Sequence, residues 1–125
     1  MRTLVVDDDQ LIANLVRTIL VRAGHDVHVA HSGSEALNQL NQAKFDLVVS
    51  DIFMPDGTGI ELLIAMRARG IDIGFIGISG GHLGQFSPFA HALQSLGATK
   101  TIQKPFAPAD LLAAVDATLS ERHVS

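Results

Sequence analysis

Apolar positions along this chain change period repeatedly, from two to about three and a half and back, and each change marks an element. Residues 3–6, Thr-Leu-Val-Val, form a short β-rich run that stops at acids. From Gln10 the apolar positions fall at Ile12, Leu15, Val16, Ile19, Leu20 and Ala23, a helical stripe, and Gly24 suits the stop. Residues 26–30 predict a second strand. Ser32 and Glu35 have the spacing of a capping box and open a helix through Leu37 and Leu40. Residues 45–51 form a third strand, apolar on both faces as a buried parallel strand should be. Thr58–Glu61 starts a helix that ends near Gly70, and residues 73–79 predict a fourth strand. Ser87-Pro88 reads as an N-cap with proline at the first helical position; Phe89, Ala92, Leu93 and Leu96 then share a face as far as Gly97. Residues 100–103 make a short fifth strand, and Leu111, Leu112, Val115 and Leu119 mark a last helix running almost to Ser125.

Five strand–helix units with short connections predict an α/β fold, a doubly wound parallel sheet with helices on both faces. No repeat, linker or low-complexity segment interrupts the pattern, so residues 1–125 read as one domain. At 125 residues and 47% hydrophobic content the chain can bury a sizeable core. Net charge is -4 and the pI about 5.8, which gives no electrostatic footprint for nucleic acid. Cysteine is absent, which excludes disulfides and thiolate metal sites. No apolar run approaches the roughly 18 residues of a membrane span. Asp7 breaks the first apolar run too early for a signal peptide. The expectation is a cytoplasmic domain with no membrane or nucleic-acid partner.

Ligands of such sheets sit outside the carboxyl ends of the strands. There the chain places Asp7 and Asp8 after the first strand, Asp51 at the end of the third, Ser79 at the end of the fourth, and Lys104, followed by Pro105, after the fifth. A single strand-end aspartate reads equally well as a helix cap, Ser79 as a loop hydroxyl and Lys104 as a solvated charge. Four strand ends carrying acids, a hydroxyl and an ammonium together define a candidate site.

In these motifs the chain resembles the receiver domain of two-component response regulators. The resemblance runs from "LVVDDDQ" through "VVSDIFMPDGTG" and "IGISGG" to "IQKPF", essentially the whole chain. It implies the flavodoxin-like, five-stranded sheet in strand order 2-1-3-4-5. It implies that Asp51 is the phosphoacceptor, that Asp7 and Asp8 are the acidic pair holding a divalent metal, and that Ser79 and Lys104 are the conserved-position hydroxyl and lysine of the family motif. Clustered carboxylates disfavour one another's ionised forms, and a hard cation such as Mg2+ or Mn2+ relieves that. Asp8, Asp51 and the backbone carbonyl of Phe53 would ligate directly and Asp7 mainly through water, while Asp9 would start the first helix. The implied partners are a sensor histidine kinase or histidine phosphotransfer protein and a downstream protein target. The implied output is a change in the loop after the fourth strand and in the face formed by the fourth helix, fifth strand and fifth helix. The domain would act as a switch and not as an enzyme, catalysing only its own phosphoryl transfer and dephosphorylation. The bond from Lys104 to Pro105 resembles one that is cis in the family.

The chain departs from the family in places. Thr101 stands where an aromatic usually couples site to output face, and the chain has neither Tyr nor Trp. The glycine-rich stretch 80–88 is longer than usual, and Phe86 within it is the candidate substitute for the switch aromatic. Phe53 and Gly81 occupy the positions that tune dephosphorylation, and neither can orient a water, which implies slow spontaneous loss of phosphate. Other readings fit less well. A dehalogenase-type phosphatase wants a second Asp where Phe53 stands. The cobalamin motif D-x-H-x-x-G fails at His31, and no G-x-G-x-x-G is present. His25, His28 and His31 cannot share one strand face and read as exposed histidines. A receiver that no longer accepts phosphate and serves as a scaffold is the remaining rival.

Overall fold

The computed structural model describes residues 1–54, 57–79, 95 and 100–123. Five strands, β1 (Arg2–Val6), β2 (Asp26–Ala30), β3 (Leu47–Asp51), β4 (Gly74–Ser79) and β5 (Lys100–Gln103), form one sheet in the order β2-β1-β3-β4-β5. Every pairing in it is parallel. This is the doubly wound order that the resemblance implies. The sheet is joined by helices α1 (Gln10–Arg22), α2 (Gly33–Gln42), α3 (Gly59–Ala68) and a C-terminal helix (Pro108–His123).

The strands send alternate side chains to opposite faces, and so build two cores. Leu4, Val6, Val48 and Phe75 face α2 and α3, where Ala36, Leu40, Leu63 and Met66 meet them. Val5, Val49, Ile76 and Ile78 face α1 and the C-terminal helix, against Val16, Leu20, Leu111 and Val115. β3 and β4 lie in the interior of the sheet and are buried at every position, Ser50, Asp51 and Ser79 included; for β3 the apolar residues on both faces predict this.

Asp9 is the N-cap of α1 and its carboxylate accepts from the amides of Leu11 and Ile12. Gly24 follows that helix at φ +95° and Gly70 follows α3 at φ +74°, left-handed conformations that glycine adopts without strain. The buried stripe of α1 is Ala13, Val16, Ile19 and Leu20. Leu15, assigned to that stripe from the sequence, is 49% exposed. The stripe centres on Val16, and one residue turns a helix by about 100°, which carries Leu15 off the core.

A feature missing from the sequence reading lies between β3 and α3. Phe53–Met54 and Gly57–Thr58 pair as a two-residue antiparallel ribbon outside the main sheet. Thr58, expected to open α3, stands immediately before it, and its side chain is outside the described residues. The same holds for Gly81, Phe86, the Ser87-Pro88 helix start with Phe89, Ala92, Leu93 and Leu96, Gly97, and the loop 80–88. Thr101 is exposed on β5.

Candidate functional site at the carboxyl ends of the strands

In a parallel sheet all carboxyl ends share one rim, and the predicted site residues meet there. β1 runs directly into Asp7, which is 2% exposed, and then into exposed Asp8. β3 ends in Asp51, 7% exposed. β4 ends in buried Ser79, whose carbonyl accepts from the Lys104 amide at 2.6 Å. That bond extends the β4–β5 ladder by one step and brings Lys104 to the rim. Its Nζ lies 3.6 Å from Asp51 Oδ2 and 3.8 Å from Asp7 Oδ2. The Lys104–Pro105 peptide is cis.

Asp7, Asp8 and Asp51 each present a carboxylate oxygen within 4.8 Å of the others. Among the described residues no other group of three such side chains gathers in this way. Burial pushes the Asp7 carboxyl above its ordinary value of 3.8, and the neighbouring charges of Asp51 and Asp8 push the same way; the Asp9 amide, donating to Oδ1 at 2.9 Å, and Lys104 act against them. Burial likewise raises Asp51, with Lys104 the largest opposing influence. The amide of Phe53 also stabilises the Asp51 carboxylate. One ammonium thus faces two buried carboxylates with the Asp8 carboxylate close by, and the net effect on both buried acids is destabilisation of their charged forms.

That imbalance is what a bound divalent cation removes. The donors are all hard carboxylate oxygens, two buried and one exposed, which suits Mg2+ or Mn2+ and gives a soft metal nothing to bind. Phe53 stands two residues past Asp51 and its side chain is 45% exposed. Asp9 is committed to the helix cap, apart from the acidic group.

α3 begins hard against β3. The Gly59 amide donates to the Ile52 carbonyl at 2.7 Å, and a Cβ at Gly59 would lie 2.6 Å from the Asp51 carbonyl oxygen. Only glycine permits this approach. Ser50 donates its hydroxyl to the same Asp51 carbonyl at 2.8 Å. The Asp51 carbonyl is therefore held by the Ser50 hydroxyl and packed closely by Gly59.

His25, His28 and His31 make three different kinds of contact. His25 Nδ1 lies 3.4 Å from the Thr3 hydroxyl. His28 stands edge-on to Phe45 and 3.5 Å from Asp26. His31 is exposed, as the sequence predicts, and also places Nδ1 at 3.2 Å from the Asp7 carbonyl oxygen. Its position just before the capping-box Ser32 was the only sequence hint of that contact.

Residues 3–116 match the family described as response regulator receiver domain. The response regulator MprA of Mycobacterium avium is 34% identical over 119 residues, which is 95% of this chain and 51% of that protein. The alkaline phosphatase synthesis transcriptional regulatory protein PhoP of Bacillus subtilis is 32% identical over 125 residues, 99% of this chain and 50% of that protein. The chain thus spans about half the length of the curated relatives it matches. Among solved structures, a CheY-like response regulator receiver domain protein from Methanospirillum hungatei superposes with a TM-score of 0.87 at 32% identity, covering 98% of this chain and 95% of that one. The chemotaxis response regulator CheY4 of Vibrio cholerae does so with a TM-score of 0.85 at 31% identity, covering 94% and 98%. With the family match spanning residues 3–116 and relatives above 30% identity over nearly the whole chain, the chain belongs to the response regulator receiver domain family.

Proposed function

We propose that this domain is a phosphorylation-dependent switch in which Asp51 accepts a phosphoryl group from a phosphohistidine on a sensor histidine kinase or histidine phosphotransfer protein. The observation that carries the proposal is the meeting of a buried Asp51 carboxylate with Lys104 Nζ at 3.6 Å and with the carboxylates of Asp7 and Asp8. Asp51 is the nucleophile: its oxygen forms the new bond to phosphorus as the bond to imidazole nitrogen breaks. Phosphoryl transfer asks the protein for position and charge balance more than for covalent chemistry. Lys104, held by the β4–β5 ladder, supplies a fixed positive charge for the equatorial oxygens. Ser79, at the end of β4, supplies a hydroxyl to donate to one of them.

Asp8, Asp51 and the Phe53 carbonyl would hold Mg2+ or Mn2+, with Asp7 acting mainly through water. The ion, when bound, offsets charge on the transferring group and on the carboxylates. A phosphoryl group adds about -1.5 to -2 charges at the rim, which draws the Ser79 hydroxyl and the loop beyond it inward. Phe53, beside the acceptor, has no group to orient an attacking water, which favours a long-lived acyl phosphate. The downstream target is a protein that reads the altered face. Leu11 and Leu15, 80% and 49% exposed and one turn apart on α1, offer a phosphodonor protein apolar contact beside the rim.

The test is an intact mass after incubation with acetyl phosphate and Mg2+. The parent gains one phosphoryl group, and neither Asp51→Asn nor the parent with chelator does. Equal labelling of Asp51→Asn would remove Asp51 as acceptor, and no labelling of the parent would favour the scaffold reading.

A further inference from the structure

β1 and β2 pair in parallel as far as Val6 and Ala30, and the Asp7 amide extends the ladder by donating to the Ala30 carbonyl at 3.1 Å. In a parallel ladder the next bond would run from the amide of residue 32 to the Asp7 carbonyl. The chain has already left the sheet at that point. Ser32 is the N-cap of α2, and its hydroxyl accepts from the Glu35 amide at 3.1 Å. Among the described residues no backbone amide takes the vacant ladder place. The imidazole of His31 does, with Nδ1 at 3.2 Å from the Asp7 oxygen. A carbonyl oxygen only accepts, so Nδ1 must carry the proton. The His31 backbone is itself held, because its amide donates to Glu35 Oε2 at 3.1 Å.

The Asp7 carbonyl belongs to the peptide that joins Asp7 to Asp8. Its rotation sets where the Asp8 carboxylate points. Asp7 is fixed from the other side as well, since its Oδ1 accepts from the Asp9 amide at 2.9 Å. Asp8 is the exposed member of the acidic group. The imidazole contact and the Asp9 turn together define the direction in which Asp8 leaves the strand.

We propose that His31 is a positioning residue for the acidic rim: its Nδ1–H replaces the missing ladder amide, fixes the Asp7–Asp8 peptide, and so sets the affinity of the rim for a divalent cation. This rests on the reading of Asp8 as a cation ligand. The role belongs to the hydrogen-bond donor and not to ring bulk or charge. Partners that orient a ligand from behind it are typically worth about 10- to 100-fold in metal affinity. His31 acts on a backbone carbonyl one step removed, so a loss near the lower end is expected.

The experiment is a calorimetric titration of the full chain with Mg2+ alone, for the parent, His31→Ala, His31→Asn and Asp8→Ala. The Asn amide nitrogen stands where Nδ1 stands and can donate to the same carbonyl. The expected result is about tenfold weaker binding in His31→Ala, affinity near the parent's in His31→Asn, and loss of binding in Asp8→Ala. If Asp8→Ala binds as the parent does, the cation site itself is misassigned. If Asp8→Ala loses binding while His31→Ala keeps it, only the positioning role falls. Equal losses in His31→Ala and His31→Asn would overturn the donor argument. A second readout is independent of the ion: imidazole nitrogen shifts of the neutral ring must show the proton on Nδ1 of His31, and a bare Nδ1 would refute the contact even if a variant failed to fold.

Discussion

Lys104 offsets part of the charge that Asp7 and Asp51 place side by side, and leaves the rest uncompensated. Both acids are held above the ordinary value of 3.8, first by burial, and then by the charges of Asp51 and Asp8 on Asp7 and of Asp8 on Asp51. In the pH range between 3.8 and the raised values, the folded protein holds more protons than the unfolded chain. Stability therefore falls as pH rises through that range, and above it the full penalty persists. Asp51→Asn removes one of the two charges. We predict that, without metal, this variant melts a few degrees above the parent at pH 7, equivalent to roughly 1 kcal/mol, and that the advantage shrinks as pH approaches 4. Calorimetric melts of both proteins at several pH values check this. A variant less stable than the parent at pH 7 would mean that the Lys104 contact outweighs burial. Asp51 itself was legible from the sequence because it ends an apolar run at a strand end. The role of His31 was not. Strand alternation predicts which face a histidine takes, but not that a neighbouring strand will lack a ladder donor at that step.

Elements bring these residues together, and the tightest join is between β3 and α3. Gly59 has no room for a Cβ, which would stand 2.6 Å from the Asp51 carbonyl and 3.1 Å from the Ile52 Cα, both backbone atoms. Gly59→Ala must push α3 away from β3. The expected cost is about 1–3 kcal/mol, as for other overpacked sites, read as a lower urea midpoint. Acetyl phosphate labelling of Asp51 should slow as well, because the shift moves the backbone that carries the nucleophile. An unchanged midpoint would show that α3 can slide without strain. Strands and helices were legible where apolar period and end signals agreed, as at β3, β4 and the Asp9 cap of α1. The short ribbon of Phe53–Met54 with Gly57–Thr58 was not, because two-residue pairs carry no period. Leu15 was misplaced because a stripe read by residue type admits a leucine at its edge that the helix turns toward solvent.

At the scale of the molecule, the parallel sheet does the gathering. Residues more than ninety positions apart, Asp7 and Lys104, come within 3.8 Å because β1 and β5 both end at one rim. The two cores pack on either face of the sheet, and the strand order puts β3, which ends in Asp51, between the acids after β1 and the hydroxyl of β4. Strand–helix alternation predicted that rim from the sequence, and the resemblance supplied the order. The most direct test of the account is chemical location of the phosphoryl group. Borohydride reduces an acyl phosphate to the alcohol, so a phosphorylated aspartate becomes homoserine. The parent is treated with acetyl phosphate and Mg2+, reduced, digested and sequenced by mass. The account predicts homoserine at residue 51 alone, and none when the cation is chelated. Homoserine at residue 7 or 8, or a phosphoryl group that survives on a serine, threonine or histidine with residue 51 unmodified, would contradict it.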